Sequence, residues 1–364
     1  MRRALLLAIL SLIVVPPSSA ETSITLTEPT HRTAAGIFLD NELADLIKPD
    51  GRLGKLIFAP SKATSITTDI SLIEEIQDLA DGYQYFNQDQ SLTTISALPA
   101  ATRWLNTLKR QVKNKEIVLL PYGNPDLNFL QENAPNELEF YRKIAEERAG
   151  AFFGTSVAST LTTSPLSSSS SAQSLHNNFR REIRALASIS TANEVTSLRL
   201  QLAKIINATI PASKLSILTK NLRTELQENQ KKLRVIAGNY TITAKRYDLP
   251  ITIINDFSAP ISIDLKTRTS NSRIKVGKVE PLQLAANTQA QIQIPIEVIA
   301  SGETRLQVKL TNSRGAQVGE LENIELRLAV ISPLTTWFTT GMAIILLLAA
   351  VVQSVRRVKR RKHE

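Results

Sequence analysis

The chain reads as an α+β protein built in several parts, and three observations predict this. Strand-like and helix-like stretches alternate through residues 21–160. Apolar residues recur every three or four positions through residues 176–232. From residue 233 to 332 the period falls to two, and that pattern runs up to an uncharged stretch, Leu334–Val355. Together they predict a truncated, half-barrel-like α/β part, a helical middle, an immunoglobulin-like β-sandwich and one transmembrane helix.

The ends come first, because they explain the charge. The chain has 364 residues and a net charge of +10, but Arg2, Arg3 and the basic tail 356–364 hold most of it, leaving +3 for the rest. The interior therefore offers no electrostatic footprint for nucleic acid. Residues 1–20, "MRRALLLAILSLIVVPPSSA", have a basic start, an apolar run and small residues before a cut after Ala20, the pattern of a signal peptide. Leu334–Val355 is long enough for the ~20 residues of helix that span a bilayer. Trp337 and Phe338 sit near one end, and "RRVKRRK" follows the other. Basic residues stay on the cytoplasmic side, so the expected topology is a single-pass plasma-membrane protein with residues 21–333 outside.

In the α/β part, "TAAGIFLD" reads as a strand ending at Asp40, and "NELADLIK" as the helix after it. "GKLIFAPS" reads as a second strand, Lys55–Ala59. "TDISLIEEIQDLADG" has the spacing of a helix, with Thr68 or Asp69 as its cap, Ile70, Ile73, Ile76 and Leu79 facing inward, and Gly82 as its stop. "ATRWLNTLKRQVKN" is a further amphipathic helix, "KEIVLLPYGNPD" a strand and loop, and "PNELEFYRKIAEERAG" a helix. A complete (β/α)₈ barrel needs about 250 residues, so this part is half a barrel at most.

Residues 161–175 are serine-rich and read as an exposed linker. "FRREIRALASI", "NEVTSLRLQLAKII" and "PASKLSILTKNLRTELQENQKKL" follow as helices. Then come short alternating strands: "NYTITA", "LPITIIND", "PISIDLKTR", "RIKVGK", "QAQIQIPIEVI", "ETRLQVKL" and "ENIELRLAV". In the clearest of them Ile292, Ile294, Ile296 and Val298 share one face. Asn207-Ala-Thr and Asn239-Tyr-Thr match a glycosylation acceptor, a motif short enough to arise by chance.

Two stretches carry a family resemblance. "RWLNTLKRQVKNKEIVLLPYGNPDLNFL" is similar to a Trp-Leu helix, strand and "PYxxPD" turn. "LRVIAGNYTITAKRYDLPITIINDFSAPISIDLKTR", continuing through "RGAQVGELENIELRL", is similar to a terminal β domain followed by an anchor and basic tail. Both resemble an uncharacterised actinobacterial family, known as a domain of unknown function, of secreted proteins with one C-terminal membrane anchor. The resemblance is best at the C-terminal end. It implies a longer relative whose middle is similar to a sugar-hydrolase or deacetylase-like barrel, much of which this chain lacks. It also implies a role in envelope biogenesis, because such proteins are commonly encoded near a flippase for lipid-linked peptidoglycan precursors. At the position of Asn124 the family more often has Asp.

A carbohydrate-active enzyme needs two carboxylates across a cleft. The candidates are Asp126 and Asp40, with Asp69 and Glu116 weaker. Asp40 and Asp126 each precede a helix and have the alternative role of a cap. Tyr122, Asn124 and Asp126 form a candidate loop for a glycan or a protein partner. The chain has no cysteine and three histidines, His31, His176 and His363. His31 and His176 lie far apart in the sequence without a ligand pattern, so both are expected at the surface, and no metal and no cofactor are expected. The expected partners are the membrane and a cell-wall glycan or an envelope membrane protein, with no nucleic acid. The function this supports is a non-enzymatic binding or scaffolding protein of the cell envelope; the alternative is a degenerate or minimal glycoside hydrolase-like or deacetylase-like enzyme.

Overall fold

The computed structural model describes residues 23–87, 89, 91–161, 166–329 and 333–360, the last stretch with side chains at 340–354. The expected signal peptide, the ends of the Leu334–Val355 stretch and residues 361–364 of the tail lie outside these described residues or their side chains. The chain is mixed α+β and divides into two compact units. Residues 206–211 belong with the first unit, although residues 169–205 of the second precede them.

The first, α/β unit contains β1 (Ser23–Leu26), α1 (Glu42–Leu46), α2 (Arg52–Phe58), β2 (Ser65–Thr68), α3 (Ile70–Asp81), β3 (Tyr83–Phe86), β4 (Leu92–Ile95), α4 (Pro99–Gln111), β5 (Glu116–Leu119), α5 (Leu127–Asn133) and α6 (Pro135–Phe153). Strands β1, β2 and β5 are parallel neighbours in that order, with Ile24 opposite Ile66 and Ile66 opposite Ile117. This is the half-barrel-like winding that alternating strands and helices predict. Leu26, Ile66 and Leu119 are fully buried in it. Strands β3 and β4 form a separate hairpin.

Two expected strands are corrected. Of the expected strand Lys55–Ala59, residues 55–58 are the end of α2, whose Leu53 and Ile57 are buried one turn apart, and Ala59 caps it. Gly54 belongs inside that helix because a Cβ there would come within 1.7 Å of the Lys48 carbonyl oxygen. "TAAGIFLD" forms a turn and isolated bridges at Phe38, not a strand. The true second strand, "SITT", is four residues long, too short to show a period. Helix α3 agrees with its sequence: Asp69 caps it, its apolar face is buried, and Gly82 ends it at φ 111°.

The second, helix–sheet unit begins with α7 (Ser170–Ala187), α8 (Asn193–Ile205) and α9 (Ala212–Lys231). The serine run is therefore only partly linker, since Ser169 caps α7 by accepting from the Ala172 amide. Strands β6 (Leu233–Ile236), β7 (Tyr240–Ile242), β8 (Arg246–Asn255), β9 (Ile261–Thr269), β10 (Ile274–Val276), β11 (Leu282–Leu284), β12 (Thr288–Val298), β13 (Gly302–Thr311) and β14 (Gln317–Leu328) follow. They form two sheets, ordered β10-β12-β8-β6 and β11-β9-β13-β14-β7, antiparallel except where β14 meets β7. Alternate residues supply the core: Leu249, Ile251 and Ile253 from β8, Ile294, Ile296 and Val298 from β12, and Leu306, Val308 and Leu310 from β13. Gly319 is required where β14 passes β6, because a Cβ would lie 2.2 Å from the Leu233 carbonyl oxygen.

Helix α10 (Pro333–Arg360) ends the chain's described part. Among the described residues, no helix is long and apolar enough to cross a membrane, so the transmembrane helix expected at Leu334–Val355 is not found among them; the side chains at both ends of that stretch lie outside the described residues. Within residues 340–354, Met342, Ile344, Ile345, Leu346, Leu347 and Leu348 are exposed.

Candidate functional site

In a parallel sheet, ligands bind beyond the C-terminal ends of the strands. Three corners of the α/β unit lie there, and each is organised by a buried acidic side chain. After β2, Asp69 accepts from the Ser71 amide at 3.0 Å, the Ser71 hydroxyl at 2.5 Å and the Gly123 amide at 3.0 Å. One carboxylate thus caps α3 and anchors the neighbouring loop.

That loop follows β5. The Asn124 amide donates to the Pro121 carbonyl at 3.0 Å, closing a turn with Gly123 at φ 80° and Asn124 at φ 44°. Glycine and asparagine are the residues that enter this left-handed region most readily. Asp126 is 4% exposed. Its Oδ1 accepts from the Phe129 amide at 3.1 Å, capping α5, and its Oδ2 accepts from the Ser168 amide at 2.7 Å and hydroxyl at 2.8 Å. Its own amide donates to the Ile206 carbonyl at 2.9 Å. The Asn207 amide group donates to the Gly123 carbonyl at 3.0 Å, and its oxygen accepts from the Thr209 amide and hydroxyl. Asn207 is buried, so that glycosylation match has no free acceptor nitrogen here.

Tyr122 is 1% exposed. Its hydroxyl donates to Glu74 Oε2 at 2.7 Å, and Arg148 holds both oxygens of Glu74, at 2.7 and 2.9 Å, while lying over the Tyr122 ring. Burial, reinforced by the Glu74 carboxylate, pushes the Tyr122 hydroxyl well above its ordinary pKa. Of the three residues predicted to form a binding loop, only Asn124 retains partial exposure.

The third corner follows β1. A tight turn, in which the Gly36 amide donates to Thr33 and the Leu39 amide to His31, folds Asp40 back onto His31. Glu75 of α3 fixes the approach by accepting from the His31 amide at 2.9 Å and from the Thr30 hydroxyl. His31 is fully buried, against the expectation of a surface residue, and so is His176 in the second unit. His31 Nδ1 lies 2.9 Å from Asp40 Oδ1 and 3.8 Å from Glu42 Oε2, and Nε2 lies 3.7 Å from Glu28 Oε1. Burial pushes the Glu28 carboxyl up, but interactions with His31 and Arg52 outweigh it and leave it below its ordinary pKa.

Asp40 also accepts from the Glu42 amide at 3.0 Å, which starts α1. Two open cavities flank this corner. One of about 560 Å³ is lined by Asp40, Asn41, Glu42, Tyr85, Asn87 and Asp89 among others, and one of about 500 Å³ includes Glu28, Glu42, Asp45 and Asp50.

Asp40 and Asp126 therefore occupy separate corners, each with its own partners. Glu116 opens β5 and so sits at the N-terminal end of the strands, opposite the end where Asp40 and Asp126 lie. Among the described residues, His31, Asp40 and Glu42 bring three potential ligand atoms within 4.8 Å of one another. Sequence reasoning reached Asp40 alone. The usable signal was one histidine with carboxylates three residues before it and nine and eleven after it, across a Gly-containing turn.

No curated protein matches the chain. Partial likenesses exist among solved structures. They include native Escherichia coli α2-macroglobulin from domain MG7 to the C-terminus (11% identity, 26% of this chain and 16% of that one, TM-score 0.22). WR4, an MSP family member of C. elegans, shows 14% identity over 27% of this chain and 99% of that one, TM-score 0.22. The E. coli chaperone DraB shows 13% identity over 28% of this chain and 57% of that one, TM-score 0.21. At such scores these likenesses carry no argument. Residues 88–363, from the β3–β4 hairpin through the Tyr122–Asp126 loop and both sheets to the basic tail, match the family of unknown function DUF6049, and the chain belongs to that family.

Proposed function

We propose that this protein is an exported, single-pass protein of an actinobacterial plasma membrane, with a non-enzymatic binding or scaffolding role in cell-wall or peptidoglycan biogenesis. Residues 1–20 direct export, Leu334–Val355 anchors the chain, and the basic tail lies in the cytoplasm. The observation that carries this reading is the apolar surface of α10, where Met342, Ile344, Ile345, Leu346, Leu347 and Leu348 are all more than half exposed, directly before the cationic tail. Side chains of this kind find their solvent in lipid.

The two sheets, with their alternating buried faces, act as an immunoglobulin-like stalk or contact surface. The α/β unit presents its loops to a wall glycan or to an envelope membrane protein. In the loop Tyr122–Asp126, contact with such a partner runs through Asn124, because Tyr122 and Asp126 are committed to internal bonds.

Alkaline extraction of membranes from expressing cells, followed by protease added from outside, tests the topology. The expected result is retention in the membrane with only a short tail fragment protected. Recovery in the soluble fraction sinks the proposal. Sedimentation of the detergent-solubilised full chain with peptidoglycan sacculi tests the glycan partner. Release of soluble sugar fragments during that incubation would instead favour a minimal carbohydrate-active enzyme.

A further inference from the structure

The geometry points to a divalent transition-metal site at the corner after β1, in which His31 Nδ1, one oxygen of Asp40 and one oxygen of Glu42 ligate a Zn²⁺-class ion. The inference stands apart from the membrane reading, since it rests only on residues 28–52 and the cavities beside them.

Bonds from zinc to nitrogen and oxygen are about 2.0–2.2 Å, so neighbouring ligand atoms at tetrahedral or octahedral angles lie roughly 3–3.5 Å apart. The observed separations from Nδ1, 2.9 Å to Asp40 and 3.8 Å to Glu42, bracket that range. The Glu42 oxygen has the longer way to move towards the imidazole, and its side chain is 65% exposed. The buried imidazole is what separates this corner from an ordinary acidic surface. Oxygen-only sets favour Ca²⁺ or Mg²⁺, whereas an imidazole nitrogen shifts preference towards Zn²⁺ and its neighbours.

The outer contacts fit the same assignment. An ion on Nδ1 replaces the hydrogen between His31 and Asp40, and the neutral ring then carries its hydrogen on Nε2. That nitrogen faces Glu28 at 3.7 Å, and Arg52 holds Glu28 in place. A carboxylate behind the ligating histidine orients the ring and raises its basicity. Three protein ligands leave a position open towards the cavity lined by Asn41, Tyr85, Asn87 and Asp89. Water, or a carboxylate or carbonyl oxygen of a bound molecule, would complete the coordination.

The test uses the full chain in detergent, stripped with a chelator and titrated with ZnCl₂ in a calorimeter. One high-affinity Zn²⁺ per chain is expected. Glu42→Gln and Asp40→Asn should each weaken it by about tenfold or more. Asp45→Asn, which lines both cavities without ligating, should leave it unchanged. Because Glu42 is exposed, Glu42→Gln should unfold at the wild-type temperature without metal, but lose the upward shift that Zn²⁺ gives the wild type. Absence of saturable binding to the wild type overturns the assignment. So does equal weakening in Glu42→Gln and Asp45→Asn, the mark of a diffuse acidic surface, and so does binding that Glu42→Gln leaves intact.

Discussion

The two units bury different sets of ionisable groups. Among the described residues, every buried carboxylate, Asp69, Glu75, Asp126 and Glu137, lies in the α/β unit. In the helix–sheet unit the buried ionisable side chains are His176 and Lys204. Strand length accounts for the difference. Strands β1, β2 and β5 have four residues each, whereas β8 and β12 to β14 have ten to twelve. Long alternating strands fix their register through apolar burial. Four-residue strands bury fewer such residues, and the corners after them are also held by carboxylates that gather backbone amides. The α/β unit adds to its packing a set of buried polar bonds with particular partners.

That contrast can be broken by experiment. Truncation at a purely apolar position should have the largest effect. Ile253→Ala in β8 should cost about 4 kcal/mol, read from denaturant unfolding monitored by amide exchange in β8. Asp126→Ala should follow at about 3 kcal/mol, by losing a helix cap and leaving the Ser168 donors buried without an acceptor. The buried Trp104 reports on this unit, and its fluorescence follows the loss. A cost below 1 kcal/mol would show that polar corners do not hold the unit together.

The pH response should separate the units as well. Burial, and then the Arg180 charge, lower His176 from its ordinary 6.5 to about 4. Above pH 6.5 the ring is neutral folded or unfolded. As pH falls from 6.5 to about 4, the unfolded chain takes a proton that the folded one refuses. The helix–sheet unit should therefore lose up to about 3 kcal/mol over that window. Urea midpoints at pH 7 and pH 4.5 measure the slope, and His176→Asn should remove this contribution.

Two smaller effects sharpen the picture inside the α/β unit. Asn207→Ala should cost about 2 kcal/mol, since it leaves the Gly123 carbonyl and the Thr209 donors without their partner. Asp40→Ala should cost about 1 kcal/mol in thermal unfolding without metal, because its carboxylate is partly exposed and water can replace it. An Asp40 effect as large as that of Asp126 would erase the distinction between the two corners.

How much of this could be read in the sequence follows the same division. Strands β7 to β10 and β12 to β14 announce themselves by alternation; β6 and the three-residue β11 do not. Helix α3 was readable through its cap, apolar face and terminal glycine. In the α/β unit the short strands "SITL" and "SITT" have no visible period, while "GKLIF" has the composition of a strand but forms a helix in which Gly54 fits against Lys48. The cap role of Asp126 was legible as a local pattern. Its bonds to Ser168, and those of Gly123 to Asp69 and Asn207, were not, because they join residues far apart in the chain. The His31 corner stayed hidden for a related reason: one histidine has no spacing to display, and its burial depends on a turn of weak sequence character.

The last partner of that loop has a consequence in time. Asn207 lies 84 residues beyond Gly123, and α7 and α8 are made between them. At about 5–20 residues per second, synthesis of that interval takes roughly 4–17 s. For that period the amide of Asp126 and the carbonyl of Gly123 wait on residues not yet made. The α/β unit is begun first but finished only after two helices of its neighbour exist. A nascent chain halted anywhere before Ile206 would carry an open first unit, so a stall in this window would leave a different, more protease-sensitive species than a stall after it.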